Sequence, residues 1–250
     1  MNIPSSLADK IKSARNVFVF TGAGVSKESG LSTFRGDDDS IWNKYDPEIN
    51  ATPEGFYSNP ALVWNFCRDI NLFTHAKPNP GHIALAQMES YYDTFTIVTQ
   101  NVDCLHEQAG STDVVKIHGT CDLIRCTKCG HRAPASNFDF THEFTPDNLP
   151  KCEKCGALYR PDIVWFGEYL PEEAINRASA ALQRCDLMYV IGTSGEVSGG
   201  YGFAQHASAA GATVVEINPK RSSLTYFADY HLAGPSGEIL PLLLDILKNS

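Results

Sequence analysis

Five short, almost wholly apolar runs alternate with longer stretches of helical periodicity, and this constrains the fold more than any other feature. The runs are Val17–Phe20, Phe95–Thr99, Val114–Ile117, Leu187–Ile191 and Thr213–Ile217. A run that is apolar at both alternating positions belongs to a strand buried on both faces, as in a parallel sheet between two helix layers. Helical patterns fall at roughly 60–74, 80–91, 101–109, 171–184 and 201–210, with an amphipathic closing stretch at 237–248. Ser5 and Ser6 precede Leu7, Ala8 and Ile11, and Asp9 lies three residues beyond Ser6, so the first helix is expected to carry a side-chain cap. The alternation predicts an α/β fold with a parallel sheet covered on both faces. A chain of 250 residues buries about three-quarters of its unfolded surface, so its core needs no disulfides.

Two regions break the alternation. Residues 36–59 are polar and hold Pro47, Pro53 and Gly55, which reads as loop with short helices. Residues 121–160 have little apolar periodicity but contain Cys126-x-x-Cys129 and Cys152-x-x-Cys155, separated by 22 residues. Two such pairs set four thiolates tetrahedrally around one zinc at about 2.3 Å each; the alternative is four unrelated buried cysteines. A site filled by four cysteines is closed, so its zinc is structural. This segment reads as an inserted module held together by metal, with His131 a solvated loop residue or a spare ligand. Cys67, Cys104, Cys121 and Cys185 show no pairing pattern, and such cysteine usage suits a reducing compartment, the cytoplasm.

Polar groups collect where the apolar runs end. Gly22-Ala23-Gly24 follows the first run, where small residues let backbone N–H groups approach a pyrophosphate, or simply make a tight turn. Position 27, glycine in the usual dinucleotide fingerprint, is Lys27. Gly192-Thr193-Ser194-Gly195 offers a second turn of this kind, and Glu216 and Asn218 end the next run, suited to ribose hydroxyls or to capping the strand. Gln100, Asn101 and Asp103 crowd one run end, and His118, before Gly119, ends another. A histidine opposite amide and carboxylate groups is a general-base candidate because its pKa lies near working pH. His106 reads as a packing residue of the following helix. No Ser/His/Asp or Cys/His nucleophile arrangement has supporting spacing.

The bulk composition excludes some partners. Twenty basic against 29 acidic side chains give a net charge of −9, which disfavours sequence-independent nucleic-acid binding. No stretch of apolar residues is long enough to span a membrane, and the start of the chain shows no secretory pattern.

With these residues in place, the chain closely resembles the sirtuins, the NAD-dependent protein lysine deacylases, and within them the class III branch. The resemblance runs from Val17 to about Pro241, through Gly22–Gly36, Thr99–His106, His118-Gly119, the cysteine pairs, Arg160–Glu168 and Gly192–Ser194. It implies a Rossmann-like domain formed by 1–35, 80–120 and 161–250, with a zinc-ribbon module at 121–160 and a cofactor loop and helical insert at 36–79. It implies NAD and acyl-lysine as substrates, nicotinamide and O-acyl-ADP-ribose as products, and His118 as general base on a ribose hydroxyl. By position, Gly22, Ala23, Gly24, Gly192, Thr193, Ser194 and Asn218 would hold the phosphates and the adenosine ribose. Gln100 and Asn101 would orient the nicotinamide ribose and Asp103 the carboxamide. Phe34 would shield the reactive face, and Arg35 would steady the phosphates. Val164, Trp165, Phe166, Gly167 and Glu168, with Glu196 and Val197, would pair with the substrate backbone as an added strand.

Three departures qualify that expectation. Members that remove succinyl or malonyl groups carry a Tyr-x-x-Arg, and Cys67 and Ile70 stand at those positions here. A carboxylate buried there without a partner is costly, so acetyl or a longer neutral acyl is expected, with Arg68 one residue off register. Val197-Ser198-Gly199-Gly200 replaces a usual Pro-Ala, and Ser32 a proline or basic residue. The rival readings are an ADP-ribosyltransferase or NAD glycohydrolase and, outside enzymes, an NAD-sensing module. The expected partners are acyl-lysine proteins, without nucleic acid or membrane, and the expected state is a monomer.

Overall fold

The five apolar runs all become strands in the computed structural model, which describes residues 3–34, 38, 40–72, 76–196 and 200–249. In chain order the strands are β1 (Asn16–Thr21), β2 (Thr94–Thr99), β3 (Val114–Lys116), β4 (Gly119–Cys126) and β5 (Arg132–Pro134). They continue with β6 (Tyr159–Ile163), β7 (Leu187–Ile191), β8 (Thr213–Ile217) and β9 (Tyr230–Leu232). Six form one parallel sheet in the order β3-β2-β1-β7-β8-β9; β4, β5 and β6 form a second, antiparallel sheet. β9 and the small sheet are absent from the sequence reading, because β5 and β9 are short, β4 is buried at few positions, and β6 buries Arg160 and Asp162 rather than an apolar run.

The period of two explains the uninterrupted apolar runs. Val17 and Val19 enter one core with Leu7, Leu85, Met88, Leu240 and Leu243, whereas Phe18 and Phe20 enter the other with Ala178, Leu182, Phe203 and Ala204. Helices Ser5–Ser13, Pro80–Met88 and Ser236–Lys248 cover the first face, and helices Glu172–Leu182 and Gly200–Ala209 the second. A third cluster joins the small sheet to the helices of 41–69 through Val63, Trp64, Phe66, Ile124 and Tyr159. The small sheet therefore shares its core with those helices, and it runs from Gly119 to Ile163, bracketing the expected 121–160 module.

Three local expectations are corrected. The first helix has Pro4 at its N-cap and no side-chain cap; the Pro4 carbonyl accepts from Leu7 and Ala8, and Ser6 Oγ accepts from Tyr230 instead. The helix expected over 60–74 is Pro60–Asp69, ended by Asn71 in the left-handed region (φ 54°) with its N–H on the Arg68 carbonyl. The helix expected over 101–109 is Leu105–Ala109 alone, because the Asp103 carboxylate accepts from the Leu105 N–H and starts the helix there.

Candidate active site

The parallel sheet changes direction between β1 and β7, and ligands of open α/β sheets bind beyond the carboxyl ends at such a point. Both glycine turns lie there and pack on each other. The Gly24 N–H donates to the Gly192 carbonyl at 2.8 Å, and the Gly22 N–H to Ile191 at 3.0 Å. A Cβ on Gly24 would lie 2.7 Å from Gly192 Cα, and one on Gly22 would lie 2.8 Å from Thr193 Cβ. Close backbone packing thus requires these glycines, whatever else they serve. The stretch after the first turn, Ala23–Ser29, is a 3₁₀ helix rather than the α-helix of the usual fingerprint.

A cavity of about 600 Å³ opens at this point and extends to the small sheet. Of the expected residues, Ala23, Gly24, Phe34, Ile70, Gln100, Asn101, His118, Gly192, Thr193, Ser194 and Asn218 line it, as do Val164–Glu168 and Glu196. Gly22, Cys67 and Asp103 are absent from the lining. Arg35 and Val197 lie outside the described residues. Sequence reasoning missed Lys27, Trp42, Phe66, Leu72, Lys220 and Arg221, which also line the cavity. Phe66 and Trp42 carried a signal, being large aromatics in segments expected to be helical; the Lys220-Arg221 pair carried none.

His118 sits between β3 and β4. Gly119, with φ 80°, lets β4 meet β6 so closely that a Cβ there would be 2.3 Å from the Asp162 carbonyl. The group admitted by Gly119 is thus main chain of β6, and the His118 carbonyl accepts from Val164 at 2.8 Å. His118 Nδ1 lies 2.9 Å from the Gln100 carbonyl. A carbonyl only accepts, so the proton is on Nδ1 and Nε2 is the basic nitrogen. Burial lowers the His118 pKa below the ordinary histidine value, with the Gln100 hydrogen bond partly opposing.

The amide cluster is held by a chain of hydrogen bonds. Thr193 Oγ1 donates to Gln100 Oε1 at 2.7 Å, tying the β2 end to the β7 turn. Asn101 Nδ2 donates to Ser26 Oγ at 3.1 Å, and Ser26 Oγ donates to Asp103 Oδ2 at 2.9 Å. With Leu105 N–H on its other oxygen, Asp103 stands behind Asn101 rather than in the wall. Burial raises the Asp103 pKa. Asn218 Nδ2 donates to the Thr193 carbonyl at 2.9 Å. Glu216 is fully buried and holds Ser222 Oγ at 2.5 Å and Thr225, so it fixes the loop after β8 rather than facing a ligand. His106 is a buried packing residue, 3.1 Å from Thr21 Oγ1 and edge-on to His82.

The far end of the cavity is aromatic. Phe34 lies 5.4 Å from Trp42, which stacks on Phe66 at 5.7 Å and meets Phe166 at 6.0 Å. Ile70 and Leu72 adjoin. Cys67 faces the third core instead, 1% exposed, with its thiol pushed up to about 12 by burial. Arg68 donates to Asp69 at 2.7 Å and to the His142 carbonyl at 3.3 Å, away from the cavity. Phe166 and Gly167 form a turn, and the N–H groups of Val164, Phe166 and Glu168 already donate to His118, Ala51 and Trp165. The Glu168 carboxylate takes both Arg160 nitrogens, at 2.6 and 2.9 Å, and the guanidinium lies 3.4 Å over the Trp165 ring.

Four sulfurs, of Cys126, Cys129, Cys152 and Cys155, lie within 4.8 Å of one another, Cys126 to Cys155 at 3.5 Å and Cys129 to Cys152 at 3.7 Å. Tetrahedral zinc with thiolates at 2.3 Å sets sulfurs about 3.8 Å apart, so the donor set fits that ion. His131 is not one of the group; it bonds Glu153 at 2.6 Å.

Comparison with known proteins gives a consistent picture. The profile of the Sir2 family matches residues 22–199. An NAD-dependent protein deacylase of Pyrococcus abyssi is 44% identical over 236 residues, 94% of each chain. A solved Sir2 homologue, a mutant bound to ADP-ribose, superposes with a TM-score of 0.91 at 37% identity, covering 99% of this chain and 97% of its own. Sir2Af2 bound to a myristoylated histone peptide gives a TM-score of 0.80 at 30% identity, covering 98% and 95%.

Proposed function

The chain belongs to the Sir2 family and is an NAD-dependent protein deacylase, and we propose that it removes neutral acyl groups from lysine, with His118 as its general base. The tautomer of His118 carries the catalytic part of this reading. Its Nδ1 proton is committed to the Gln100 carbonyl, which orients the ring and leaves Nε2 to accept a proton from a ribose hydroxyl. Gln100 and Asn101 would position the nicotinamide ribose. Gly24, the Gly192–Ser194 turn and Asn218 would hold the rest of the dinucleotide, and Phe34 would cover its reactive face. Asp103 acts through Ser26 and Asn101. An oxocarbenium-like ribose is stabilised by a dry, preorganised wall more than by a strong nucleophile, and the lining supplies one.

The acyl preference rests on the aromatic end. Among the described lining residues there, Phe34, Trp42, Phe66, Ile70, Leu72 and Phe166 are all uncharged, and Arg68 points elsewhere. A succinyl carboxylate would enter without a counter-charge, which disfavours it. The myristoylated peptide on Sir2Af2 supports a long neutral chain as an occupant. The peptide would lie near Gly167 and Glu196, with acyl-lysine proteins as partners.

The four-cysteine cluster fits a structural zinc, and no helix of the described residues is long and apolar enough to cross a membrane. The same reading makes 1–35, 80–120 and 161–250 the dinucleotide domain, and 36–79 with 121–160 the smaller lobe. It keeps the protein cytoplasmic and monomeric, on its cysteine usage and acidic charge. The test is NAD-dependent turnover of one lysine peptide carrying acetyl, butyryl, myristoyl or succinyl, with His118→Ala as control. Neutral groups should turn over and succinyl should fail. Efficient desuccinylation, or an active His118→Ala protein, would overturn the reading.

A further inference from the structure

Behind the amide cluster lies a second group of reactive side chains, unconnected with the four-cysteine site. The sulfurs of Cys104 and Cys121 and a carboxylate oxygen of Asp122 all fall within 4.8 Å of one another. Lys116 Nζ donates to Cys104 Sγ at 2.8 Å and pairs with Glu107 at 3.0 Å. The Cys104 thiol donates to the Asp122 carboxylate at 2.7 Å. The ammonium fills the space beside the sulfur that a metal dication would need, so the group reads as a thiol poised to ionise beside a cation rather than a metal site.

We propose that Cys104 and Cys121 are an oxidation site, at which the Cys104 sulfur attacks a hydroperoxide and Cys121 closes a disulfide that slows turnover. Cys104 is buried, 9% exposed, but Cys121 beside it is half-buried and Asp122 open to solvent, so a small oxidant reaches the pair from the Asp122 side. The hydrogen bond from Cys121 favours the Cys104 thiolate first, and Lys116 adds to it, against burial and the Asp122 charge. The same contact holds the Cys121 thiol in its protonated form. In the first step the thiolate sulfur bonds the distal peroxide oxygen; the O–O bond breaks, and the alkoxide takes a proton from solvent. In the second the Cys121 sulfur displaces that oxygen, which leaves as water carrying the thiol's proton. Two electrons pass from the two sulfurs to the peroxide.

The location gives the disulfide its effect. The Cys121 N–H already donates to the Val102 carbonyl at 2.9 Å, so the two segments are in register. An S–S bond of about 2.05 Å nevertheless requires the sulfurs to close from their present separation. Cys104 follows Asp103 directly, and Asp103 holds Ser26, on which Asn101 rests. Drawing Cys104 toward β4 therefore displaces the amide wall, and Lys116 loses its thiolate.

The test uses the zinc-loaded protein with stoichiometric hydrogen peroxide. Tryptic mapping should show a Cys104–Cys121 linked peptide while zinc stays bound. The KM for NAD should rise about tenfold, the loss of one well-placed hydrogen bond to a charged group, and recover with dithiothreitol. Cys104→Ser and Cys121→Ser should keep basal turnover and lose this zinc-retaining inhibition. Lys116→Met should slow the oxidation about tenfold, the factor for one unit of thiol pKa, and Lys116→Arg should slow it less. Recovery of both thiols reduced while activity falls with released zinc would overturn the proposal, as would a linked peptide with unchanged kinetics. The kinetic half rests on the deacylase reading, whose own failure would show as no turnover before oxidation; the peptide map reads the bond either way.

Discussion

His118 shows how backbone geometry turns a residue type into a chemical role. The Gln100 carbonyl selects its tautomer, Gly119 lets β6 approach, and burial keeps the ring neutral below the ordinary histidine pKa of 6.5. The base is therefore in its working form at pH values where a solvated histidine is already charged. The acid limb of kcat/KM for NAD is expected below pH 6.5, measured with an acetyl-lysine peptide; a limb above it would mean that a carboxylate neighbour, not burial, governs the ring. At the other end of the cavity, Ile70 tests the acyl reading in the opposite sense. Ile70→Arg should shift the succinyl-to-butyryl ratio of kcat/KM toward succinyl by about tenfold or more, the worth of a hydrogen bond to a charged group. An unchanged ratio would place the acyl end away from Ile70.

At the scale of elements, the crossing of the β1 and β7 turns is the tightest joint of the site. Gly24→Ala sets a methyl against the backbone of Gly192, where no flexible side chain can yield. The variant should lose about 1–3 kcal/mol, as overpacking does, and lose NAD affinity, read by thermal melts with and without NAD. A stable variant with normal NAD stabilisation would show that the turns can separate. Helix Pro80–Met88 makes a second prediction. His82 accepts from the Asn79 N–H in its capping box, and its pKa is lowered by burial to about 4; His106, edge-on to it, is lowered by burial and by His82. Both take a proton in the unfolded chain below pH 6.5 but resist it when folded. The stability tied to His82 is thus present above pH 6.5 and is lost as pH falls toward 4, at about 1.4 kcal/mol per pH unit, and His106 acts in the same direction. Denaturant midpoints between pH 7 and 5 should show this slope, and His82→Gln should flatten it. How much the sequence disclosed follows the same physics. β1, β2, β7 and β8 are legible because both faces are buried, so most positions are apolar, Glu216 in β8 being an exception. β9 and the small sheet are not, since β5 and β9 are three residues long, β4 is buried at few positions, and β6 buries Arg160 and Asp162 among its five residues. Residues 101–104 lie outside the helix because the Asp103 carboxylate takes the Leu105 N–H, a local signal that the apolar periodicity masked. The polar wall was legible in Gln100, Asn101 and His118 because it sits at strand ends; Lys220 and Arg221 were not, because their place depends on the loop that buried Glu216 holds.

The whole molecule divides by core rather than by chain order. Two hydrophobic clusters flank the parallel sheet and draw no residue from 41–72 or 121–165, while the third is built from those segments alone. Cys126 and Cys152 are buried members of that third cluster, so the zinc site and the helices of 41–69 form one packing unit. The chain's three tryptophans, Trp42, Trp64 and Trp165, all belong to it, Trp42 on its edge. Tryptophan fluorescence therefore reports on this lobe and nowhere else. Stripping the zinc removes the positive centre that four close thiolates require, and it loosens the core that Trp64 shares with Phe140 and Phe144. Chelation is expected to red-shift the tryptophan emission while most far-UV circular dichroism persists, because the parallel sheet keeps both of its cores. Peptide turnover should fail at that stage, since Trp42 and Phe66 line the proposed acyl end, whereas NAD should still raise the melting temperature through the β1 and β7 turns. Emission that does not move after verified zinc loss would mean that the lobe stands on packing alone. Emission and dichroism lost together would mean that the three cores unfold as one.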